Sequence, residues 1–243
     1  MSNGFDTIIY TKQENVAQIK LNRPDVLNSH NMQMRDDLYA VLEACKDDPD
    51  VKSIVLTGEG ERAFCTGADL AEFGTAPSRI IARQVRWERD LWGLLHNLNK
   101  PIIAGLHGYV LGSGMEMALL CDIRIASEDA SFGMPEAGLG MIPVAGGTQI
   151  IPRTVGIPRT LALLFNGDRI GSREALAIGL VHKVVQKDLV LKETLCLAKE
   201  LSGLNPNLTA AIKNNIRMSY DLPVMEGLDL EPTVATNALI ASK

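Results

Sequence analysis

Residues 108–122 read GYVLGSGMEMALLCD and join a glycine-rich turn to the start of an apolar helix. Such a turn leaves backbone N–H groups free, and the positive end of the helix dipole points at whatever lies in front of them. Glu116 falls in the first turn of this helix, a place where glutamate is also favoured on dipole grounds alone. The stretch therefore predicts an anion-binding site with an acidic side chain beside it.

Two further segments have a related character. Residues 63–70, AFCTGADL, form a second glycine-containing turn directly after a predicted strand. Residues 132–149, FGMPEAGLGMIPVAGGTQ, place Glu136 after a proline in an apolar, glycine-bounded loop, and an acidic residue in such surroundings is often suited to acid–base chemistry. Because N–H groups from two loops can hold one oxygen that becomes negative during a reaction, the two turns predict an oxyanion hole.

Outward from these segments, strand and helix patterns alternate along the first half of the chain. The alternation predicts an α/β fold with mostly parallel strand pairing. The predicted elements are a hairpin of residues 8–11 and 16–21 around a turn at 12–15, helices at 34–45, 78–97 and 115–121, strands at 51–57, 102–106 and 123–126, and a glycine-rich turn at 108–114.

The second half is mainly helical, with a predicted boundary near Lys187 and no flexible linker. Helices are expected at residues 173–178, from 188 to 201, from 206 and at 226–240. The expected N-caps are Ser172 and Asp188, the expected helix stop is Gly179, and Pro206 suits a first turn.

Composition limits the classes of protein that fit. The 243 residues are 46% hydrophobic and 22% charged, which is typical of a globular chain, and the net charge of −5 argues against a nucleic-acid binder. The four cysteines form no C-x-x-C pair and the four histidines show no metal spacing. We expect reduced cysteines in or near a core, no metal, and a cytoplasmic protein, since neither a secretory signal nor a membrane-spanning run is recognisable.

Other motifs are incomplete. Ser113 lies between two glycines, but a nucleophile elbow needs a glycine at position 111, which is leucine. No phosphate-binding G-x-x-x-x-G-K-[ST] loop is present, and the dinucleotide pattern fails after Gly140. Four arginines recur on one face of the predicted helix at 78–97. This face comprises Arg79, Arg83, Arg86 and Arg89. Three interpretations stay open for it: a solvated or ion-paired surface, attraction of an anionic ligand, and RNA binding.

Together the three segments resemble the enoyl-CoA hydratase/isomerase (crotonase) family. The stretch LNRPDVLNSHN at 21–31 resembles a region in which family members contact coenzyme A, and SREALAIGLVHKVV at 172–185 extends the likeness. The resemblance runs from about Ile8 to Leu201. It implies a crotonase-like α/β spiral of ββα repeats over residues 1–187 and a helical C-terminal trimerisation region over 188–243, assembled as a homotrimer or hexamer.

The resemblance also assigns residues. Its oxyanion N–H positions correspond to Ala68 and to Ser113, where the family usually has glycine, and its two catalytic glutamates correspond to Glu116 and Glu136. It implies acyl-CoA thioester substrates, with coenzyme A as part of the substrate and no separate cofactor. The implied substrate-binding positions are Asp25, Val26, Leu27, Thr66, Gly67, Asp69, Leu70, Gly112, Pro135 and Val144.

Because both glutamates are present, the resemblance favours hydration of an enoyl-CoA. Isomerisation or another acyl-CoA lyase reaction is the nearest alternative, and a non-catalytic RNA-binding member is a different class.

The sequence departs from the family pattern at two places. Val144 replaces a typical glycine, and its methyl groups could either crowd the site or pack into the core. The sequence ends at Lys243, sooner than is usual in the family, so we expect weaker closure of the coenzyme A site.

Overall fold

The computed structural model describes residues 4–240 and contains two sheets flanked by helices. The strands are β1 (Ile8–Gln13), β2 (Val16–Leu21), β3 (Ser53–Gly58), β4 (Ala63–Cys65), β5 (Ile102–Leu106), β6 (Tyr109–Leu111), β7 (Ile123–Ser127), β8 (Ser131–Gly133), β9 (Ile170–Gly171) and β10 (Lys183–Val185). The helices are α1 (Met32–Asp47), α2 (Arg79–Glu88), α3 (Leu91–Asn97), α4 (Ser113–Leu120), α5 (Gly147–Val155), α6 (Ile157–Asn166), α7 (Ser172–Ala177), α8 (Val190–Ser202), α9 (Pro206–Met218) and α10 (Val224–Ile240).

The larger sheet has the strand order β1-β2-β3-β5-β7-β10. Only the β1–β2 hairpin is antiparallel in this sheet, with Ile8 opposite Leu21, and the other neighbours are parallel. Its central strands are apolar and buried, as expected when helices cover both faces of a parallel sheet. Mostly parallel pairing is therefore confirmed, and the hairpin turn is narrower than predicted because β1 extends to Gln13.

The smaller sheet positions the three motif segments. Its order is β4-β6-β8-β9, and β4, β6 and β8 are parallel. Because the carboxyl ends of parallel strands lie at one edge of a sheet, the segments that follow these three strands come together there. These are residues 66–70 after β4, the α4 start after β6, and the loop with Glu136 after β8. The prediction of a simple turn over 108–114 was incomplete, because residues 109–111 form β6.

Local side-chain chemistry corrects three further predictions. The helical run at 78–97 is two helices, because the Asp90 side chain accepts the Gly93 N–H at 3.0 Å and caps a new helix, α3. Ser172 is the first residue of α7 and not its N-cap, and its hydroxyl donates to the Glu128 carbonyl at 2.8 Å. Asp188 lies in a short 3₁₀ turn, and α8 begins at Val190 without a side-chain cap. Pro206 does occupy the first turn of α9, behind the Asn205 cap.

The remaining sequence-based expectations concern the core. Cys45, Cys65 and Cys121 are buried free thiols, whereas Cys196 is exposed. Helix α8 packs on the larger sheet, where the Ser53 hydroxyl donates to the Ala198 carbonyl at 2.8 Å.

Over residues 4–240, no helix is long and apolar enough to cross a membrane. No cluster of three or more potential metal ligands occurs in that range either.

Candidate active site

Two backbone N–H groups, those of Ala68 and Ser113, lie on adjoining loops after β4 and β6. Gly67 has a φ of +99°, and a Cβ there would lie 3.2 Å from the Leu111 carbonyl oxygen and 3.4 Å from the Ser113 nitrogen. The left-handed backbone at residue 67 and the close approach of the two loops both favour glycine there. In the described part of the chain, neither N–H group has a backbone acceptor, and both residues line the same cavity. This is the arrangement that an oxyanion hole requires.

Asn28 anchors the segment that leads into β4, and the first of these loops follows that strand; the sequence interpretation missed this role. It is fully buried with a φ of +54°, which asparagine tolerates better than most residues. Its amide nitrogen donates to the carbonyls of Glu59 and Ala63, both at 2.9 Å, and its oxygen accepts the Arg23 N–H at 2.8 Å. Its location between predicted β2 and α1 was the available signal, but its two long-range partners, Glu59 and Ala63, cannot be identified from spacing along the sequence.

Glu116 is buried on α4, with only 2% of its surface exposed. Its Oε1 accepts the N–H groups of Ala145 at 3.0 Å and of Gly147 at 2.6 Å, so the first turn of α4 is tied to the start of α5. Burial and the negative charge of Glu136 raise the pKa of Glu116 to about 7, while the two N–H donors and the cationic Arg86 act in the opposite direction. The carboxyl group can therefore gain or lose a proton near neutral pH.

Glu136 lies in a 3₁₀ turn that follows β8 and begins with Pro135. Its Oε2 is buried and has no hydrogen-bond partner among residues 4–240, and burial raises the pKa of the carboxyl group. A buried acceptor without a partner is costly, so this oxygen is suited to bind a water or a substrate atom. Gly112, which has a φ of +52°, lies against the other carboxyl oxygen. Both glutamates face one cavity.

The cavity has a volume of about 170 Å³ and brings together all four predicted catalytic positions. Six of the ten predicted substrate-binding positions also line it, namely Thr66, Gly67, Leu70, Gly112, Pro135 and Val144. A neighbouring apolar cavity of about 400 Å³ shares Ala68 and Phe73 with it. That second cavity extends along the side of α2, where Ile81 and Val85 contribute to the wall.

The other four predicted substrate-binding positions lie outside the catalytic cavity. Asp25 and Val26 are exposed in a 3₁₀ turn, and the Leu27 carbonyl accepts the Thr66 N–H at 3.2 Å, so this turn adjoins the first oxyanion loop. Asp69 forms an ion pair with Arg23 at 2.8 Å and caps the 3₁₀ turn of residues 70–72. The Asp69 side chain therefore stabilises the loop that follows β4. A role in binding substrate stays a prediction for all four positions.

Val144 occupies the rim of the catalytic cavity. Val144 is 63% exposed, so the alternative that its methyl groups pack into the core is wrong. Its carbonyl accepts a hydrogen bond from the Arg86 guanidinium on α2. Arg86 was identified only as part of an arginine face, and the structure separates the four arginines. Arg83 stacks on Trp87 at 4.2 Å, Arg89 pairs with Asp36, and Arg86 contacts the catalytic loop.

Comparison with known proteins places the chain in a family. The family model for enoyl-CoA hydratase/isomerase matches residues 11–241, so the chain belongs to that family, and it is an enzyme of this type. Among its relatives are crotonyl-CoA hydratase of Syntrophomonas wolfei, 40% identical over 82% of this chain and 75% of the relative, and 2,3-dehydroadipyl-CoA hydratase of Escherichia coli, 37% identical over 94% and 89%.

Solved structures agree with this assignment. The crystal structure of an enoyl-CoA hydratase from Bacillus anthracis superimposes with a TM-score of 0.91 and 32% identity, covering 98% of this chain and 92% of that one. The crotonase-like α/β fold and the family resemblance predicted from the sequence are therefore confirmed. The division at residue 187 and the roles of individual site residues stay predictions.

Proposed function

We propose that this protein adds water across the 2,3 double bond of an enoyl-CoA thioester. The observation that carries the proposal is the pairing, in one cavity, of a buried and a half-buried glutamate with two N–H groups that lack a backbone acceptor within residues 4–240. Hydration needs both features, because the thioester oxygen gains negative charge while a water molecule is split between two carbon atoms. The hydratase relatives support the same reaction.

In the proposed reaction the thioester oxygen accepts hydrogen bonds from the N–H groups of Ala68 and Ser113. A water held between Glu116 and Glu136 attacks C3, one carboxylate takes its proton, and C2 receives a proton from the glutamate pair. Raised pKa values for both carboxyl groups suit this exchange, since the pair can hold one proton near neutral pH. The scheme uses no metal and no cofactor beyond the coenzyme A of the substrate.

The acyl part of the substrate is proposed to be apolar. Support comes from the 400 Å³ cavity next to the catalytic one, whose wall includes Met32, Phe73, Ile81 and Val85. A saturated tail placed there gains hydrophobic free energy of about 0.8 kcal/mol for each buried CH₂ group. We therefore expect kcat/KM to rise as the enoyl chain is lengthened from four carbons, and then to fall once the cavity is filled.

We also propose assembly as a homotrimer or hexamer. Large apolar side chains on the helices of the second half lie uncovered, including Phe165 at 75% exposure on α6 and Val224 at 77% on α10. Exposed apolar surface on this scale commonly marks an interface between subunits. Light scattering at micromolar concentration is expected to give three or six times the chain mass, and a monomer mass would contradict the proposal.

The decisive experiment is a hydration assay with purified protein and crotonyl-CoA, with the 3-hydroxy product identified by mass spectrometry. We expect turnover that a chelator does not reduce, and only traces of a product with a shifted double bond. Shifted product in excess of hydrated product would favour isomerisation instead. Salt-dependent RNA binding without turnover, measured by filter retention, would favour the non-catalytic class.

A further inference from the structure

We propose that Arg86 is a positioning residue for Glu116 and acts on it through the single peptide group between Val144 and Ala145. The Arg86 guanidinium donates a hydrogen bond to the Val144 carbonyl. The N–H group of the same peptide unit, which belongs to Ala145, donates to Glu116 Oε1 at 3.0 Å. A positive charge at one end of this peptide group is thus connected to a carboxylate at the other.

The connection follows from peptide geometry. In a trans peptide group the C=O and N–H bonds are rigidly coupled and point in opposite directions. A cation on the carbonyl oxygen draws electron density toward that oxygen and makes the N–H a stronger donor, because hydrogen bonds in a chain polarise one another. Fixing the carbonyl also fixes the direction of the N–H bond. Arg86 therefore both strengthens and orients a hydrogen bond that Glu116 accepts.

The groups that face Glu116 make this contribution useful. Burial and the negative charge of Glu136 both disfavour its ionised form, whereas the N–H groups of Ala145 and Gly147 and the charge of Arg86 favour it. Arg86 is the cation among these influences. Arg86 thus lowers the pKa of the Glu116 carboxyl group, whereas burial and Glu136 raise that pKa. The ionised form of Glu116 therefore stays accessible in the desolvated cavity.

The helix that carries Arg86 has few other attachments to the body of the protein. None of the residues 79–88 is buried, and next to this helix Arg89 forms an ion pair with Asp36. The Arg86 contact therefore joins the wall of the apolar cavity to the catalytic loop.

Three variants test the proposal, which rests on the proposed hydration. Arg86→Met removes the charge and the donor while keeping an unbranched chain, Arg86→Lys keeps both, and Arg79→Met removes one charge from the same helix as a matched control. We expect Arg86→Met to lower kcat about tenfold, the loss of roughly 1.4 kcal/mol of stabilisation, with KM changed less than about twofold. Its pH–activity profile moves to higher pH, because loss of a cation favours protonation of the glutamate pair.

An activity-independent measurement separates the two proposals. The carboxyl carbon of Glu116, assigned in ¹³C NMR spectra by comparison with Glu116→Gln, is titrated in each variant without substrate. A midpoint that rises in Arg86→Met, returns toward the original value in Arg86→Lys and stays unchanged in Arg79→Met supports the role of Arg86, even if no hydration is found. Equal midpoints in all variants, or equal shifts for positions 86 and 79, would overturn it.

Discussion

Helices α4 and α2 both border the reaction site but are built in opposite ways. Six of the eight residues of α4 are buried, including Glu116, whereas α2 has no buried residue and leaves Ile80 77% exposed. The glutamate that we propose to perform chemistry is therefore held by the core, where packing leaves little freedom. The wall along the proposed acyl cavity is attached by a few polar contacts, so it can change with little cost to the fold.

The largest effect should follow from removing the carboxylates. Glu116→Gln and Glu136→Gln are each expected to lower kcat by about 10²–10⁴, because positioned proton transfer typically contributes that much. Thermal unfolding and light scattering should show an intact protein in both cases. The double variant should lose little more than the worse single variant, since both side chains serve one water molecule.

Near-normal turnover in either single variant would remove that glutamate from the mechanism. If the fold-decrease in kcat of the double variant equalled the product of the two single decreases, the carboxylates would act in separate steps. Steady-state kinetics on crotonyl-CoA at one pH, followed by the full pH dependence, distinguishes these outcomes.

The packing of α4 gives the next largest effect. A Cβ at Gly114 would lie 2.4 Å from the Cys65 carbonyl oxygen, which is backbone and cannot swing away. We expect Gly114→Ala to lower the free energy of unfolding by about 3 kcal/mol, as overpacking of a tight core does. Gly138→Ala is the matched control, because a Cβ there meets nothing within 4 Å. Similar denaturation midpoints for the two variants would refute the close approach of α4 to β4.

A smaller effect concerns pH and stability. The folded protein holds the pKa of Glu116 at about 7, above the ordinary glutamate value, so between about pH 4.5 and 7 the folded state binds more protons than the unfolded state. Stability from this group is therefore lost as pH rises through that window. Glu116→Gln should remove the loss and gain about 2 kcal/mol relative to the native protein between pH 5 and pH 8. A constant difference in unfolding free energy across this range would contradict it.

The smallest effect is expected from Val144, in the loop that leads into α5. Val144→Gly leaves the carbonyl that Arg86 contacts but removes two methyl groups from the cavity rim. We expect hydration of crotonyl-CoA to rise a few-fold, about 0.5–1 kcal/mol, relative to any isomerisation of a 3-enoyl-CoA. Product analysis of both reactions is the measurement. An unchanged ratio would show that the methyl groups face solvent without crowding the water.

Sequence patterns predicted what local chemistry determines. The β-branched runs identified β3 and β5, and the glycine-rich turn before Glu116 identified the start of α4. They failed where a distant partner decides, as with Asn28, whose amide reaches Glu59 and Ala63, and with Arg86, which looked like any member of a charged helix face. Such contacts depend on which elements pack together in space, and the spacing of residues along the chain does not predict that packing.

The glycines opposite the two glutamates have an implication for inherited change. A Cβ at position 112 would fall 2.7 Å from Glu136 Oε1, and one at position 147 would fall 2.8 Å from Glu116 Oε1. Each of these carboxylate oxygens thus occupies room that a single methyl group would take. One added carbon at position 147 would displace the Glu116 carboxylate, so a single inherited change there would alter the site without replacing either glutamate.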